Sequence, residues 1–247
     1  MRIPAGSRLL AGSGRGAAVS AALLPVLALT AACGGGDGGA EKAPQDVRAS
    51  GAVRTAKLTQ ALLTSKDVPH VQVLPAGTKT QLLGGQQKAA PAQCQPVADQ
   101  WSSQPKHPRQ VYVGGMVTDT ADKDKNAKTI SLTVVATYRT GEARQVLDDL
   151  AAAVKTCTSY RTTRNGVTTT FVVHAAAPTG SLGDQQVTYT IADAAKGPAG
   201  TVLVTVVRVG DTTAAYESVR ADHTTATLRA AIPVEQAAKL REAAKTD

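Results

Sequence analysis

The sequence predicts an α+β domain in which one mainly antiparallel sheet carries helices packed on one side. β-branched runs follow one another through the second half of the chain, separated by clusters of Gly, Pro and Asp. One segment in the middle of the chain repeats apolar residues at helical spacing. Because the turns between the last runs are short, they favour hairpins and therefore antiparallel neighbours.

The first 32 residues have the plan of a secretory signal peptide. Arg2, Arg8 and Arg15 form a positive region, and an apolar run over residues 17–32 follows it. That run is shorter than the about 20 residues that cross a bilayer as a helix. It therefore favours a cleaved signal over a permanent transmembrane span.

The segment LTAAC, residues 29–33, resembles the lipobox of bacterial lipoproteins, although Thr30 stands where that family prefers Leu. The resemblance implies that Cys33 is acylated, for example with palmitate, and anchors the protein to the extracytoplasmic face of the cell membrane. A plain secretory signal with an incidental cysteine is the alternative. Residues 33–53 are rich in Gly, Ala and charge, which predicts a flexible tether before a single domain over residues 54–247.

Composition limits the classes of partner. The formal net charge is +8, and removal of the three signal arginines lowers it to +5. This predicts a solvated basic surface, or attraction to anionic lipid headgroups or wall polymers. Aromatic residues make up only 3% of the chain, and no basic cluster is interleaved with them, so we expect no nucleic-acid partner.

The three cysteines suggest one disulfide. If Cys33 carries lipid, Cys94 and Cys157 remain in a compartment where disulfides persist. Two cysteines allow a single pairing, so we predict a Cys94–Cys157 bond. Two separate buried thiols are the alternative.

The elements of the first half follow in order. Apolar residues at helical spacing predict a helix over 54–69, ended by Pro69. A short strand at 71–75, a loop over 75–93 and a short helix with Pro96 in its first turn come next. Trp101 is expected to be buried or to lie over the disulfide.

Two strands and the longest helix form the middle of the chain. Residues 110–119 read as a strand with a bulge or bend at Gly114-Gly115, and 129–138 as a half-buried strand. In the latter, the expected buried face is Ile130, Leu132, Val134 and Tyr138. The helix is predicted to begin at an N-cap, Thr140, and to bury the stripe Ala143, Val146, Leu147, Leu150, Ala151, Val154 and Cys157.

The last third is predicted to be mostly strand. Runs at 166–175, 185–193 and 200–210 precede a tight II′ turn at Gly210-Asp211 and one further strand. Pro233 is expected to begin a final helix, with Val234, Ala237, Ala238, Leu240 and Ala244 on its apolar side.

Several of these segments together resemble known exported proteins. The residues concerned are Leu62, Leu63, Thr64, Asp67 and Pro69, then Cys94, then the helix from Ala143 to Cys157, and then Val206 to Gly210. In these positions the chain resembles secreted lipoproteins of high-GC Gram-positive bacteria and the extracellular sensor domains of PknH-like kinases. The resemblance implies an antiparallel sheet with flanking helices and a cleft for a ligand, but it transfers no binding residue.

No catalytic or cofactor motif is present. The histidines His70, His107, His174 and His223 lack metal-binding spacing, and no nucleophile elbow or phosphate loop occurs. Asp148 and Asp149 are helix neighbours that do not face each other, and Asp67 is read as a turn or cap residue. A last group consists of Arg208, Tyr216, Trp101 and Tyr112. We interpret them as ordinary residues on the faces of the sheet, and the alternative is that they line a cleft.

The sequence therefore predicts a non-enzymatic ligand-binding or sensor-like module, held at the membrane through Cys33 and without a cofactor or metal. Its ligand, a small molecule or an envelope component, is not identified by any motif. A carrier of lipid or another apolar molecule is one alternative, and it requires a sizeable apolar cavity. A cell-envelope hydrolase is the other, and it requires a cleft with convergent titratable groups.

Overall fold

The computed structural model of the chain describes residues 54–164 and 166–245. The predicted signal peptide, the tether and Cys33 lie outside these residues. Among the described residues, no helix is long and apolar enough to cross a membrane.

Eight strands and four helices make up the described domain. The helices are α1 (54–60), α2 (Gln95–Asp99), α3 (Glu142–Thr156) and α4 (Ala231–Ala244). The strands are β1 (Val71–Pro75), β2 (Val111–Asp119), β3 (Thr129–Thr137), β4 (Ser159–Arg164), β5 (Val167–Ala175), β6 (Gln185–Asp193), β7 (Thr201–Val209) and β8 (Thr212–Arg220).

All eight strands form one antiparallel sheet, in the order β1-β2-β3-β8-β7-β6-β5-β4. The predicted α+β class with a mainly antiparallel sheet is confirmed. Strand β4 is an addition to the prediction. Its sequence, SYRTTR, buries only Tyr160 and Thr162, so it lacks the apolar run by which the other strands were found.

The structure differs from the prediction in the position of the helices, which lie on both faces of the sheet. Val204 and Val206 of β7 pack in a core with α2 and α3, whereas Leu203 and Val209 pack in a second core with α1 and α4. We call these sides the first face and the second face. Alternate residues of a strand point to opposite faces, so a nearly continuous apolar strand such as β7 is buried on both.

Strand β3 shows the same two-sided burial. It was predicted to be half-buried, but Val134 and Val135 are both almost fully buried, on the first and second face respectively. The predicted polar side of this strand is also buried, and it includes Ser131 and Thr133. The central position of β3 in the sheet, which the sequence does not reveal, is the reason.

The sequence predicted a bulge or a bend at Gly114-Gly115, and the structure has no bulge there. The register of β2 with β1 and β3 runs through both glycines without an inserted residue. A Cβ atom at Gly114 would lie 2.0 Å from the carbonyl oxygen of Thr133, and one at Gly115 would lie 2.3 Å from that of Leu74. The glycines are therefore required by close backbone approach.

The helix ends also differ from the prediction in places. The N-cap of α3 is Gly141, with a φ of 79°, and not Thr140. Helix α1 ends at residue 60, and α4 begins two residues before Pro233. The residues that α4 buries are Ile232, Pro233, Gln236, Ala237 and Leu240, whereas Val234, Ala238 and Ala244 are exposed.

Gln236 explains the shift of the α4 stripe. Its amide accepts from the backbone N–H of Leu63 at 3.0 Å and donates to the carbonyl of Ala61 at 2.7 Å. A buried amide with both ends paired is tolerated in a core, so this polar residue faces inward and displaces the expected apolar ones.

The Cys94–Cys157 disulfide is confirmed. It joins two buried cysteines, with an S–S distance of 2.10 Å, and it connects the end of α3 to the turn before α2. The predicted α3 stripe packs on the first face, with Ala153 added and Ala151 only partly buried. Trp101 is partly buried and packs against the cluster that contains the disulfide.

Candidate functional site

The candidate site is the part of the first face that the helices leave uncovered. Helix α3 contacts β5, β6 and β7, at one side of the sheet. At the other side, on β1, β2, β3 and β8, large apolar side chains of the first face remain exposed to different degrees. They are Leu74, Met116, Ile130, Leu132 and Val219, and we call them the open face.

The strand register shows that the open face is continuous. Leu74 lies opposite Met116, which lies opposite Leu132, and Ile130 lies opposite Val219 in the next row. Leu74 is 69% exposed, Met116 43% and Val219 39%. Contiguous apolar side chains of this kind usually mark a surface that binds a ligand or a partner.

Glu217 of β8 lies at the inner end of the open face. It pairs in register with Leu132 on one side and with Val204 on the other, and Val204 pairs in turn with the fully buried Tyr189. One row of side chains therefore runs from the exposed Leu74 to the buried Tyr189. The carboxylate of Glu217 marks the border between its open and buried halves.

None of the side chains that the structure describes is a counter-ion of Glu217. Within residues 54–164 and 166–245, no hydrogen bond or ion pair reaches its half-buried carboxylate. Burial raises the pKa of Glu217, and no nearby cation opposes this increase. Burying a charge without a partner costs free energy, so a position of this kind needs an explanation.

The charge of Glu217 also acts on two buried tyrosines of the first face. Its charge raises the pKa of Tyr160 and adds to the increase in the pKa of Tyr189, in both cases after the larger effect of burial. The ring of Tyr160 stacks on Phe171 with the centroids 5.4 Å apart. The Trp101 indole lies near enough to Tyr189 to oppose part of the increase in its pKa.

Two of these groups also carry unsatisfied polar atoms. The hydroxyl of Tyr189 and the indole nitrogen of Trp101 are buried, and neither makes a hydrogen bond of good geometry in the described part of the chain. Both atoms are enclosed, so Glu217 is the polar group of this row that remains partly exposed beside the apolar open face, and a polar group at the edge of an apolar surface is typical of a small-molecule site. This arrangement can orient a ligand that has one polar end and one apolar body.

Replacing Glu217 with Gln is expected to stabilise the ligand-free protein at pH 7 by roughly 1 kcal/mol, because it removes a partly desolvated unpaired charge. The raised pKa means that the folded state binds a proton more readily than the unfolded chain does. The stability of the wild type therefore increases as pH falls through that pKa. Urea unfolding at several pH values should show that the free energies of unfolding of the wild type and the variant become equal at acidic pH. A variant that is less stable than the wild type at pH 7 would contradict the expectation.

A second polar cluster lies between α2 and α3. Asp149 accepts a hydrogen bond from Lys106 at 2.7 Å and lies 3.1 Å from the Nε2 atom of His107. Hydrogen bonds from these two side chains lower the pKa of Asp149. These contacts join α3 to the loop that follows α2, and no Ser or Cys in the described part of the chain bonds to His107.

The structure separates the residues that the sequence suggested for a cleft. Arg208 lies on the first face and bonds Gln185 at 2.6 Å and the carbonyl of Gly210 at 2.9 Å, which secures the β7–β8 hairpin. Tyr216 is fully buried in the second core. Trp101 and Tyr112 share a small cluster on the first face, next to Leu132 of the open face. Only these two therefore lie near the candidate site.

Other residues singled out from the sequence have structural roles. Asp67 accepts from the backbone N–H of Thr64 at 2.6 Å and pairs with Lys239 at 2.7 Å, which confirms it as a turn residue. Asp148 accepts a hydrogen bond from Gln185, whereas Asp149 has Lys106 and His107 as partners. Within the described ranges, no group of His, Cys, Asp and Glu could hold a metal ion.

Glu217 and the open face were not found from the sequence. The segment TTAAYESV alternates like any strand, and its Glu is typical of a solvent-facing position. The one available signal was the pair of large apolar residues Leu74 and Met116 in two predicted strands. Whether the two side chains lie on the same face depends on how the strands pair, and the sequence does not show this.

Two cavities at the cores are small. One, beside Asp99 and Asp149, measures about 20 Å³, and the other, beside Gly114 and Gln236, about 10 Å³. Each has room for about one water molecule. A larger one, about 310 Å³, is an open groove between α1 and α4 whose lining includes Lys239 and Glu242.

The fold is similar to that of a solved mycobacterial extracellular domain. The extracellular domain of PknH from Mycobacterium tuberculosis has a TM-score of 0.51 and 12% identity over 77% of this chain and 96% of that chain. A putative uncharacterized protein from Mycobacterium smegmatis, an Rv0999 ortholog, has a TM-score of 0.33 and 15% identity over 76% of this chain and 95% of that chain. No protein-family model and no curated protein matches the chain. The resemblance to the PknH extracellular domain is thus confirmed at the level of the fold.

Proposed function

We propose that this protein is a lipid-anchored, extracytoplasmic module of the sensor type, which binds a ligand on the open face and has no catalytic activity. The observation that carries the proposal is the row from Leu74 to Glu217, where exposed apolar side chains lead to an unpaired carboxylate. The similarity in fold to the extracellular domain of PknH supports a sensor-like role at the extracytoplasmic side. The lipobox resemblance at Cys33 supports the anchor and the location.

Placing a charge on the open face should weaken binding of an apolar ligand. We expect Met116→Glu to weaken the binding of Nile red, an uncharged apolar dye, by about tenfold or more, because burying the new carboxylate against the dye is costly. Fluorescence titration of the dye measures this.

Val234→Glu is the matched control for Met116→Glu. Val234 is 47% exposed and lies on α4, at the second face, so the same change in a similarly exposed residue should leave dye binding unchanged. Wild-type affinity in both variants would show that the open face is not a binding surface.

Replacing Cys33 with Ser should remove the lipid anchor. We expect the variant to be released into the medium or to remain unprocessed, because residue 33 then has no thiol that can be acylated. Cell fractionation and intact-mass measurement check this. A variant that stays in the membrane fraction with only the mass change of the substitution would contradict the lipoprotein proposal.

The two alternatives receive less support. A carrier needs an enclosed apolar chamber, whereas two of the cavities measure about 20 and about 10 Å³ and the larger one, about 310 Å³, is an open groove with charged side chains in its lining. A hydrolase needs convergent catalytic groups, and the described residues offer His107 with Asp149 but no nucleophile bonded to them. Binding is therefore the function that the arrangement favours.

A further inference from the structure

We propose that the open face selects small amphipathic amines, whose ammonium group pairs with Glu217 while the apolar body lies along Leu132, Met116 and Leu74. This inference rests on the proposed binding function and adds the chemical class of the ligand. It depends on the position of one carboxylate relative to the apolar row.

Charge complementarity is the first argument. Glu217 is half-buried, and none of the described side chains supplies it with a cation or a hydrogen-bond donor. A buried carboxylate is costly alone but favourable when it is paired and hydrogen-bonded. A ligand with an ammonium group supplies both the charge and up to three N–H donors. An anionic ligand would instead add repulsion to the existing desolvation cost.

The geometry of the row is the second argument. Glu217, Leu132, Met116 and Leu74 occupy directly opposed positions on four adjacent strands. Neighbouring strands are about 4.8 Å apart, so the row extends roughly 14 Å from the carboxylate. An extended decyl chain matches this length. A ligand with a terminal amine and an unbranched apolar body can therefore contact the whole row.

The fluorescence of Trp101 can report binding. Trp101 is the only tryptophan of the chain, and it packs between the first core and the cluster next to Leu132. Decylammonium, decanol and decanoate are titrated below their micelle concentrations into the full chain carrying Cys33→Ser, so that no detergent is needed. We expect saturable changes in Trp101 emission, with decylammonium binding at least tenfold more tightly than decanol, and decanoate binding most weakly.

Glu217→Gln tests the role of the carboxylate. It should weaken decylammonium binding by roughly tenfold to hundredfold, as loss of a partly buried charged partner does, and leave decanol binding unchanged. Glu242→Gln, the same change at an exposed site on α4, should leave every affinity unchanged. Circular dichroism verifies that both variants fold.

The outcomes separate this inference from the proposed function. If decanol or decanoate binds as tightly as decylammonium, or if Glu217→Gln keeps the preference for the amine, the selection of amines is overturned while binding on the open face stands. If none of the three probes binds the wild type and Met116→Glu does not alter Nile red binding, the proposed function fails as well.

Discussion

Loss of the Cys94–Cys157 disulfide is expected to destabilise the domain by about 4 kcal/mol, as the chain-entropy relation gives for a loop of this length. The bond closes a loop with a sequence separation of 63 residues, and both cysteines are almost fully buried. For a domain of this size, the melting temperature should fall by roughly 8–16 °C. The bond also holds the segment that carries Trp101, so its loss should loosen the inner end of the candidate site.

The double variant Cys94→Ser with Cys157→Ser measures this cost without leaving a free thiol. Urea unfolding of this variant is compared with that of the oxidised protein and of Cys33→Ser, which removes a cysteine outside the bond. Alkylation of the denatured, unreduced protein should label neither Cys94 nor Cys157. Equal stability of the double variant and the oxidised protein would contradict the expectation.

Gly114→Ala should cost about 3 kcal/mol or more, which is a large effect for adding one methyl group. The new Cβ would lie 2.0 Å from the carbonyl oxygen and 3.0 Å from the carbonyl carbon of Thr133 in the neighbouring strand. These atoms belong to the backbone of the central strand β3, so they cannot move aside as a flexible side chain could. The pairing of β2 with β3 must shift, and with it the open face that both strands carry.

Gly85→Ala is the control for this substitution. A Cβ atom there would meet no other atom within 4 Å, so we expect a change within about 0.5 kcal/mol. Urea unfolding gives both values, and emission from Trp101 reports whether the candidate site is retained. Similar stability of the two variants would show that β2 accommodates a side chain at Gly114.

Features that depend on local periodicity were predictable from the sequence. The α3 stripe was found because residues three and four apart lie on one side of a helix, and Cys157 continues that stripe. The disulfide followed from the number of cysteines left after Cys33 was assigned to lipid. The hairpin at Gly210-Asp211 followed from the need for a positive φ, and Gly210 has a φ of 56°.

Features that depend on position in the sheet were not predictable. A strand reveals two sides but does not show what covers each of them, so the helices were placed on one face although α4 packs on the other. The same ambiguity led to the half-buried assignment of β3. Of the residues considered for a binding cleft, Trp101 and Tyr112 lie near the candidate site, whereas Tyr216 belongs to the opposite core.

The sequence by itself determined the fold class, the disulfide partners and the helix that carries one of them, because each depends on spacing along the chain or on counting. Only the tertiary structure decided where an apolar row would remain uncovered and which carboxylate would stand at its end. Glu217, Leu132 and Met116 are far apart in the chain and meet only through the register of β8, β3 and β2. A binding surface made by strand pairing has no sequence pattern of its own, since pairing partners are chosen by the whole sheet.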